Sequence, residues 1–323
     1  MRNVIKLLDL AKEPISIATM DRVIKSLPTE HGEVESEEWL KNSYCASIIN
    51  AIRDRKDTLT PDQWADLDTA TQYAFRKWPG FDERPRSSLE MTWSGMADPF
   101  LFNPLNRLFC SGKCTFLPEQ TFLQNKVVVA DFPLLQFQET GHLINVMLKL
   151  IFQRAWLRRD MSKYPAPVAL WQDEFQYFIT RRDNFFQQTC RESRVAVVCL
   201  TQNIMNLSEE LNEESIGSKT KSFCGNLMLK IAHQQNEHET SQYMADLIGK
   251  EWRYVENYSM SGGDSANAGG SMQLVHQVEP LAFSQLQKPD ARHPEARAII
   301  YQGGKRFQAS GANHLVVDFS RNI

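Results

Sequence analysis

The second part of the chain is a series of short, continuous apolar runs separated by helical stretches. A run that is apolar at every position is typical of a strand buried on both faces. The runs are residues 127–130, 168–170, 195–200, 227–232 and 298–301. Helical stretches between them include residues 140–158, which are apolar nearly all round, 184–193, and His238–Ile248, which Gly249 closes as a C-cap. Strands alternating with helices predict an α/β fold with a mainly parallel sheet and helices on both faces.

Residues 1–115 differ, because none of them shows strand alternation. Thr60, Pro61 and Gln63 form a predicted capping box with proline at the first helical position, and Pro79-Gly80 is expected to end that helix. A shorter helix is expected from Asn103-Pro104 to about Cys110. The predicted organisation is a mainly helical region over 1–115 and an α/β domain over 116–323. Residues 261–271 are expected to form a mobile Gly/Ser loop.

Composition excludes some classes of protein. A formal net charge of -3 excludes a strongly basic coat for nucleic acid, although a local basic patch stays open. No stretch approaches the ~18–20 apolar residues of a membrane span, and the start lacks a signal-peptide cleavage site, so we expect a cytoplasmic protein. Cys110 and Cys114 form a C-x3-C pair without a second pair, which gives a zinc site little support. The other cysteines are expected to be buried thiols: Cys45, Cys190, Cys199 and Cys224.

The first candidate site lies where a predicted strand ends in two acidic residues. Residues 167–175 read P-V-A-L-W-Q-D-E-F, so Asp173 and Glu174 follow the apolar run directly. Ligands of open parallel sheets bind at the carboxyl ends of the strands. In P-loop ATPases an aspartate at this place holds magnesium through its water shell, and a glutamate orients or deprotonates the attacking water. The alternative is a simple solvated strand end.

A second candidate follows one helix later, where residues 195–203 read V-A-V-V-C-L-T-Q-N. Because this strand ends in Thr201-Gln202, the two strand ends together can surround a γ-phosphate and its water; the alternative is that Gln202 only caps a loop. Arg191 and Arg194 precede the strand, at the predicted end of a helix. An arginine there could reach a neighbouring subunit's nucleotide as an arginine finger, or could only satisfy the helix dipole.

The sequence contains no phosphate-binding loop of the form G-x-x-x-x-G-K-[ST], whose glycines let backbone amides approach the phosphates. Two segments come near it. In S-G-K-C, residues 111–114, Arg107 replaces the first glycine and Cys114 the magnesium-binding hydroxyl. In G-S-K-T, residues 217–220, Ser218 stands where the glycine before lysine is needed. We therefore expect the acidic half of an ATPase site without its phosphate-cradling half.

In their order along the chain, these segments resemble the TraG/TraD-type coupling ATPases of conjugative type IV secretion, relatives of FtsK and HerA. Ahead of the acidic pair, the resemblance is carried by S-S-L-E-M-T-W-S-G-M-A-D-P-F, F-C-S-G, L-P-E-Q and K-V-V-V-A-D-F-P. It continues from W-Q-D-E-F through C-R-E-S-R to L-T-Q-N, and then through G-N-L-M-L-K-I-A-H-Q-Q-N-E-H-E-T and A-D-L-I-G. It is good over roughly residues 85–250.

The resemblance implies a RecA-like P-loop NTPase core that uses ATP and Mg²⁺. Asp173 would be the Walker B acid associated with magnesium, and Glu174 the catalytic glutamate. Gln202 would be the phosphate-sensing glutamine, and Arg191 the arginine finger of the next protomer. The helical region before Lys126 would overlap the all-α domain that the family inserts into its motor domain.

The resemblance also implies a hexameric ring that moves DNA, with its relaxase or relaxosome, towards the type IV secretion channel at the inner membrane. The family's Walker A motif and membrane anchor lie N-terminal, and neither is found in these residues. We therefore expect a truncated gene product, a split subunit or a fragment of a longer chain, with weak or no ATP binding of its own. Two functions stay open: part of a DNA-translocating coupling ATPase, or a non-hydrolysing docking protein that keeps the coupling-protein fold.

Overall fold

The computed structural model describes residues 1–112, 114–260 and 266–320. The chain divides into two compact units, Met1–Leu117 and Pro118–Ile323. Among the described residues, no helix combines the length and the apolar character needed to cross a membrane.

The first unit contains helices and no strand among its described residues. Several helices begin at a hydroxyl side chain that accepts a hydrogen bond from a first-turn backbone N–H, namely at Ser16, Ser36, Ser43 and Thr60. Two 3-10 turns and a π-helical turn span His31–Glu35, Lys56–Thr58 and Tyr73–Lys77. The helices are α1 (Arg2–Ala11), α2 (Ile17–Lys25), α3 (Glu37–Asn42), α4 (Tyr44–Arg53), α5 (Pro61–Gln72), α6 (Glu83–Leu101) and α7 (Leu105–Phe109).

The core of the first unit is formed by apolar side chains of α1, α2, α4, α5 and α6. The predicted capping box is confirmed, because Thr60 Oγ1 accepts from Gln63 N at 3.3 Å and Gln63 Oε1 accepts from Thr60 N at 2.9 Å. Further along this helical stretch Leu67 and Trp78 are buried, whereas Trp64 is exposed. The short helix after Asn103-Pro104 is also confirmed, since α7 ends with Cys110 as its C-cap.

The second unit mixes helices and strands. A 3-10 turn spans Phe175–Phe178, and Gln138 interrupts the long helix near its start with φ 48°. The helices are α8 (Gln120–Leu123), α9 (Leu134–Leu157), α10 (Arg181–Thr189), α11 (Ile204–Glu210), α12 (Ser218–Asn226), α13 (His238–Ile248) and α14 (Pro280–Ser284). The strands are β1 (Val168–Gln172), β2 (Val195–Cys199), β3 (Leu229–Ala232), β4 (Lys250–Met260), β5 (Ala266–His276), β6 (Glu295–Gln302) and β7 (His314–Ser320).

These strands form three small sheets, of which one is parallel. β1 and β2 are parallel, with Val168 opposite Val195 and Gln172 opposite Cys199. β3, β6 and β7 form an antiparallel sheet, and β4 pairs with β5 as an antiparallel ribbon. The prediction of a mainly parallel sheet is therefore wrong for the described strands. The physical reason is that β4–β5 and β6–β7 have short connections, which make antiparallel hairpins, whereas parallel neighbours need long crossovers.

The predicted strand at residues 127–130 is also absent from the described strands. Its backbone is irregular, and Val127, Val128 and Val129 are 92%, 40% and 87% exposed. A strand buried on both faces needs a partner strand and covering helices. β1 pairs only with β2 among the described strands, so no partner lies beside residues 127–130.

The other predicted strands and helices are present, with some ends shifted. The expected burial on both faces is not found, since Trp171 of β1 is 70% exposed and Ile231 of β3 is 47% exposed. β1 and β6 contain the runs 168–170 and 298–301, whereas β2 ends one residue before, and β3 begins two residues after, the predicted bound. α9 covers the long apolar stretch as far as Leu157, α10 ends at Thr189 rather than Ser193, and α13 has the predicted bounds with Gly249 as its C-cap. The predicted Gly/Ser loop is corrected in part: residues 266–271 belong to β5, while 261–265 lie outside the described residues. Gly270 suits this strand because the Tyr254 ring lies where a Cβ atom would be. The core of this unit consists of three apolar clusters centred on Phe175 and Phe223, on Ile248 and Phe283, and on Trp156 and Phe186.

Candidate functional site

The carboxyl ends of β1 and β2 bring the predicted site residues together. The backbone pairing continues past the strands, since Leu200 N donates to Gln172 O at 2.9 Å and Phe175 N donates to Leu200 O at 2.9 Å. This pairing holds Asp173-Glu174 on one strand beside Thr201-Gln202 on the other. Both strands are apolar over most of their length, with V-A-L-W-Q in β1 and V-A-V-V-C in β2, and the polar residues follow where they leave the sheet.

Glu174 is the centre of this site. Its carboxylate accepts from Gln176 Nε2, and Gln202 Nε2 lies 3.4 Å and 3.5 Å from its two oxygens. Glu174 has a left-handed backbone with φ 48° and ψ 45°, which turns the chain from β1 into the following 3-10 turn. Asp173 Oδ1 accepts from Glu174 N at 3.0 Å, and the Asp173 side chain is exposed. A half-buried carboxylate beside an amide, with a second carboxylate open to solvent, can bind a water molecule and a hydrated cation.

The backbone of Gln202 is held by Gln235, a residue that the sequence did not single out. Gln235 Nε2 donates to Gln202 O at 3.0 Å, and Asn203 Oδ1 caps α11 by accepting from Asn206 N at 2.8 Å. Gln235 follows β3 in the run H-Q-Q-N. A polar pair directly after an apolar strand was the signal at the other two strand ends, and the same signal identifies Gln235.

A buried ion pair lies beneath the turn that follows Glu174. Lys149 and Asp183 form it with side chains that are each 3% exposed. Lys149 Nζ also donates to Phe178 O and lies 5.2 Å from the centre of the Phe175 ring. Burial lowers the pKa of Lys149, although the Asp183 carboxylate opposes that shift. The ammonium group therefore ties α9 to the turn that carries Glu174.

The Asp183 carboxylate accepts three hydrogen bonds besides the contact with Lys149. Its Oδ2 accepts from Thr180 N at 2.7 Å and Thr180 Oγ1 at 2.9 Å, and its Oδ1 accepts from Gln153 Nε2 at 2.8 Å. The carboxylate thus caps α10 and pairs with Lys149 at the same time. Sequence reasoning missed this pair because Lys149 lies in a helix that reads as apolar all round. A single lysine in such an apolar helix is the sequence feature that could have pointed to a buried ion pair.

Arg191 is not brought together with Glu174 and Gln202. It is exposed and lies in the turn between α10 and β2, two residues beyond the end of the helix. Gln202 follows the carboxyl end of β2, so the two residues lie at opposite ends of a five-residue strand, which is about 17 Å long at ~3.3 Å per residue. Arg194, with φ 47°, donates from Nη1 to Pro165 O at 3.0 Å.

The G-S-K-T segment holds a side chain of this protein where a phosphate loop would hold phosphate. The Glu213 carboxylate accepts from Lys219 N at 3.0 Å, Thr220 N at 3.1 Å and Thr220 Oγ1 at 2.8 Å. A Cβ atom on Gly217 would overlap Glu213, which accounts for the glycine. The segment is therefore a helix start closed by an internal carboxylate. Of the other near-match, Lys113 lies outside the described residues.

The cysteine predictions have mixed outcomes. Cys45, Cys190 and Cys224 are buried as expected, whereas Cys199 is half-buried and lies 3.4 Å from Gln172 Nε2. Cys110 Sγ and Cys114 Sγ donate to backbone carbonyls at 3.6 Å and 2.9 Å. Within the described ranges, no three His, Cys, Asp or Glu side chains are grouped to hold a metal ion.

The residues at the strand ends fit one side of a nucleotide site only. Asp173 and Glu174 offer the oxygen ligands that a hydrated Mg²⁺ accepts. The sequence offers no glycine-rich cradle for phosphates, and its nearest candidate is filled by Glu213. By themselves, these residues therefore do not form a complete ATP site.

Comparison with known proteins gives a family match for part of the chain. Residues 167–284 match the protein family described as the TraM recognition site of TraD and TraG. The match begins one residue before β1, includes Asp173, Glu174 and Gln202, and ends with α14. The resemblance to TraG/TraD-type proteins is thereby confirmed.

Among solved structures, the chain is similar to one described as the bacterial conjugative coupling protein TrwBdeltaN70, in an unbound monoclinic form. The two share 11% sequence identity with a TM-score of 0.44, and the match covers 99% of this chain. The chain spans 60% of the length of that structure. No curated protein matches the chain.

Proposed function

We propose that the chain acts in conjugative DNA transfer as part of a TraG/TraD-type coupling protein. The observation that carries this proposal is the contact between Glu174 and Gln202 at the ends of adjacent parallel strands, inside the segment that matches the TraG/TraD family. The carboxylate can accept a proton from one water molecule while the neighbouring amide holds that water by a hydrogen bond.

In this proposal β1 and β2 are neighbouring strands of a RecA-like P-loop NTPase core. Asp173 holds Mg²⁺ through water, Glu174 orients and deprotonates the attacking water, and Gln202 senses the γ-phosphate. The phosphate loop is not in this sequence, so ATP binding requires a polypeptide segment outside these 323 residues. Magnesium, when bound, neutralises charge on the phosphates.

Arg191 acts in trans in this proposal. Its position at the far end of β2 from Gln202 supports that role, because it is too distant to serve its own protomer's site and is exposed for a neighbour. A ring of subunits, hexameric by family resemblance, provides such a neighbour. The cargo is DNA with its relaxase or relaxosome proteins. We propose a cytoplasmic location, next to type IV secretion components at the inner membrane.

The second candidate function is a non-hydrolysing docking protein with the same fold. It is favoured by the G-S-K-T segment, where Glu213 rather than a phosphate receives the backbone N–H groups. It is also favoured by the description of the matched family as a recognition site for TraM. The two candidates differ in whether Glu174 does chemistry.

Conjugative transfer from the natural host tests both candidates. Deleting the gene should lower the transfer frequency, and the wild-type gene supplied in trans should restore it. Under the motor proposal Glu174→Gln fails to restore transfer, although glutamine keeps the shape and the contact with Gln176. Under the docking alternative it restores transfer fully. Glu192→Gln, an exposed residue in the turn beside Arg191, is the matched control. Transfer that does not depend on the gene would contradict the coupling role.

A further inference from the structure

A small cavity of about 300 Å³ is lined by the residues at the start of α10, by the end of α11 and by α12. Its floor is apolar and consists of Ile179, Leu211 and Phe223, which are 7%, 6% and 2% exposed. Its volume is at the low end of the ~300–1,000 Å³ typical of ligand pockets. A space of this size and lining accepts one or two apolar side chains.

Two of the four polar residues that line this cavity are basic, and none is acidic. Arg181 lines it and is exposed, and its guanidinium group makes no hydrogen bond or ion pair with any described residue. Lys219 also lines it, with its Nζ donating to Leu211 O at 2.7 Å, which leaves further donor capacity. Two nearby carboxylates already have other partners. Glu213 accepts hydrogen bonds from the start of α12, and Asp183 pairs with Lys149.

Asn184 closes one wall and fixes its shape. Its Nδ2 donates to Ser222 Oγ at 2.9 Å, and its Oδ1 accepts from Asn226 Nδ2 at 2.7 Å, so α10 and α12 are held together. The cavity is therefore a preformed feature of the fold. Preformed apolar pockets with a few charged groups at the rim are how proteins recognise short peptide segments.

We propose that this cavity docks an acidic peptide segment of a protein partner, with an apolar side chain on the floor and a carboxylate on Arg181. The inference rests on the proposed function, whose matched family is described as a recognition site for a protein, and it names the chemistry of such a partner. Charge complementarity favours an acidic occupant. A nucleic-acid phosphate would use the basic groups but would leave the apolar floor without a partner.

Fluorescence anisotropy of the purified chain tests this inference without nucleotide. The probe is a fluorescein-labelled peptide, Asp-Glu-Leu-Phe-Glu-Asp. It should bind, and Arg181→Glu should weaken binding by about tenfold or more, since a charged contact is lost and reversed. Arg182→Glu is the matched control, because Arg182 is the neighbouring exposed arginine and does not line the cavity. It should change affinity by less than about threefold.

Two further measurements use the wild-type chain. A peptide with serines in place of Leu-Phe should bind at least about tenfold more weakly, because the floor then buries nothing apolar. A short DNA duplex should not displace the acidic peptide. Equal effects of Arg181→Glu and Arg182→Glu, equal affinity for the serine peptide, or displacement by DNA would each overturn the inference. None of these results bears on gene-dependent transfer, so this inference can fail while the proposed function stands.

Discussion

The buried pair of Lys149 and Asp183 gives the sharpest prediction about stability. Removing one partner of such a pair costs about 3–5 kcal/mol, since the other charge stays buried. The two removals should differ. Lys149→Met leaves Asp183 with three donors, from Thr180 and Gln153, whereas Asp183→Ala leaves Lys149 with only Phe178 O.

We therefore expect Lys149→Met to cost about 3 kcal/mol and Asp183→Ala about 5 kcal/mol, the larger value including about 1 kcal/mol for the lost cap of α10. The double variant should cost less than the sum, by up to about 3 kcal/mol. Because burial lowers the pKa of Lys149 from 10.5, the unfolded chain binds more protons between the two pKa values. This group's contribution to stability therefore rises with pH in that alkaline window, and Lys149→Met removes the rise.

The assay is hydrogen exchange of residues 175–190 during urea unfolding, which reports on this region without assuming that both units unfold together. Lys163→Met is the control, because its ion pair with Asp160 is exposed and should be worth about 1 kcal/mol or less. Equal losses for Lys149→Met and Lys163→Met, or a larger loss for Lys149→Met than for Asp183→Ala, would refute this reasoning.

Three further predictions concern other parts of the chain. Thiol labelling at mildly alkaline pH, mapped by mass spectrometry, should reach exposed Cys114 and spare Cys45 and Cys224 until unfolding, since burial raises the pKa of Cys45 to about 12 and of Cys224 to about 11. Glu213→Ala should lower the unfolding free energy by about 1–2 kcal/mol in urea titrations, and exposed Glu214→Ala should not. Burial raises the pKa of Glu213, but the hydrogen bonds from Lys219 and Thr220 lower it by more, so the pKa lies below its ordinary value. The stabilisation that Glu213 provides is therefore lost as the pH falls through the acidic range. Arg191→Ala should lower ATP turnover of the assembled complex ~10³–10⁵-fold, with partial recovery on mixing with Glu174→Gln subunits; turnover like that of Arg194→Ala would leave Arg191 with a structural role only.

Local features of this fold could be predicted from the sequence. The capping box at Thr60, the bounds of α13 and the strands before Asp173 and Gln202 depend on contiguous residues, whose spacing carries the information. The contact between Glu174 and Gln202 was also within reach, because carboxyl ends of parallel strands share one edge.

Features that depend on distant partners could not be predicted in this way. Residues 127–130 have the composition of a buried strand, but none of the described strands pairs with them, and composition does not report partners. Lys149 and Asp183 are 34 positions apart and meet only through packing. Glu213 closes the G-S-K-T segment through a loop, which changed a near-match to a phosphate loop into a capped helix start.

The central claim is that Glu174 activates water in an ATPase site completed by another polypeptide segment. The most direct test is ATP hydrolysis by the complex recovered from the host through an affinity tag on this chain. The wild-type complex should hydrolyse ATP, and the Glu174→Gln complex should retain nucleotide but hydrolyse it ~10²–10⁴-fold more slowly, as loss of a general base predicts. Equal rates from the two complexes, with Glu192→Gln as the matched control, would contradict the claim and leave the docking function as the better account.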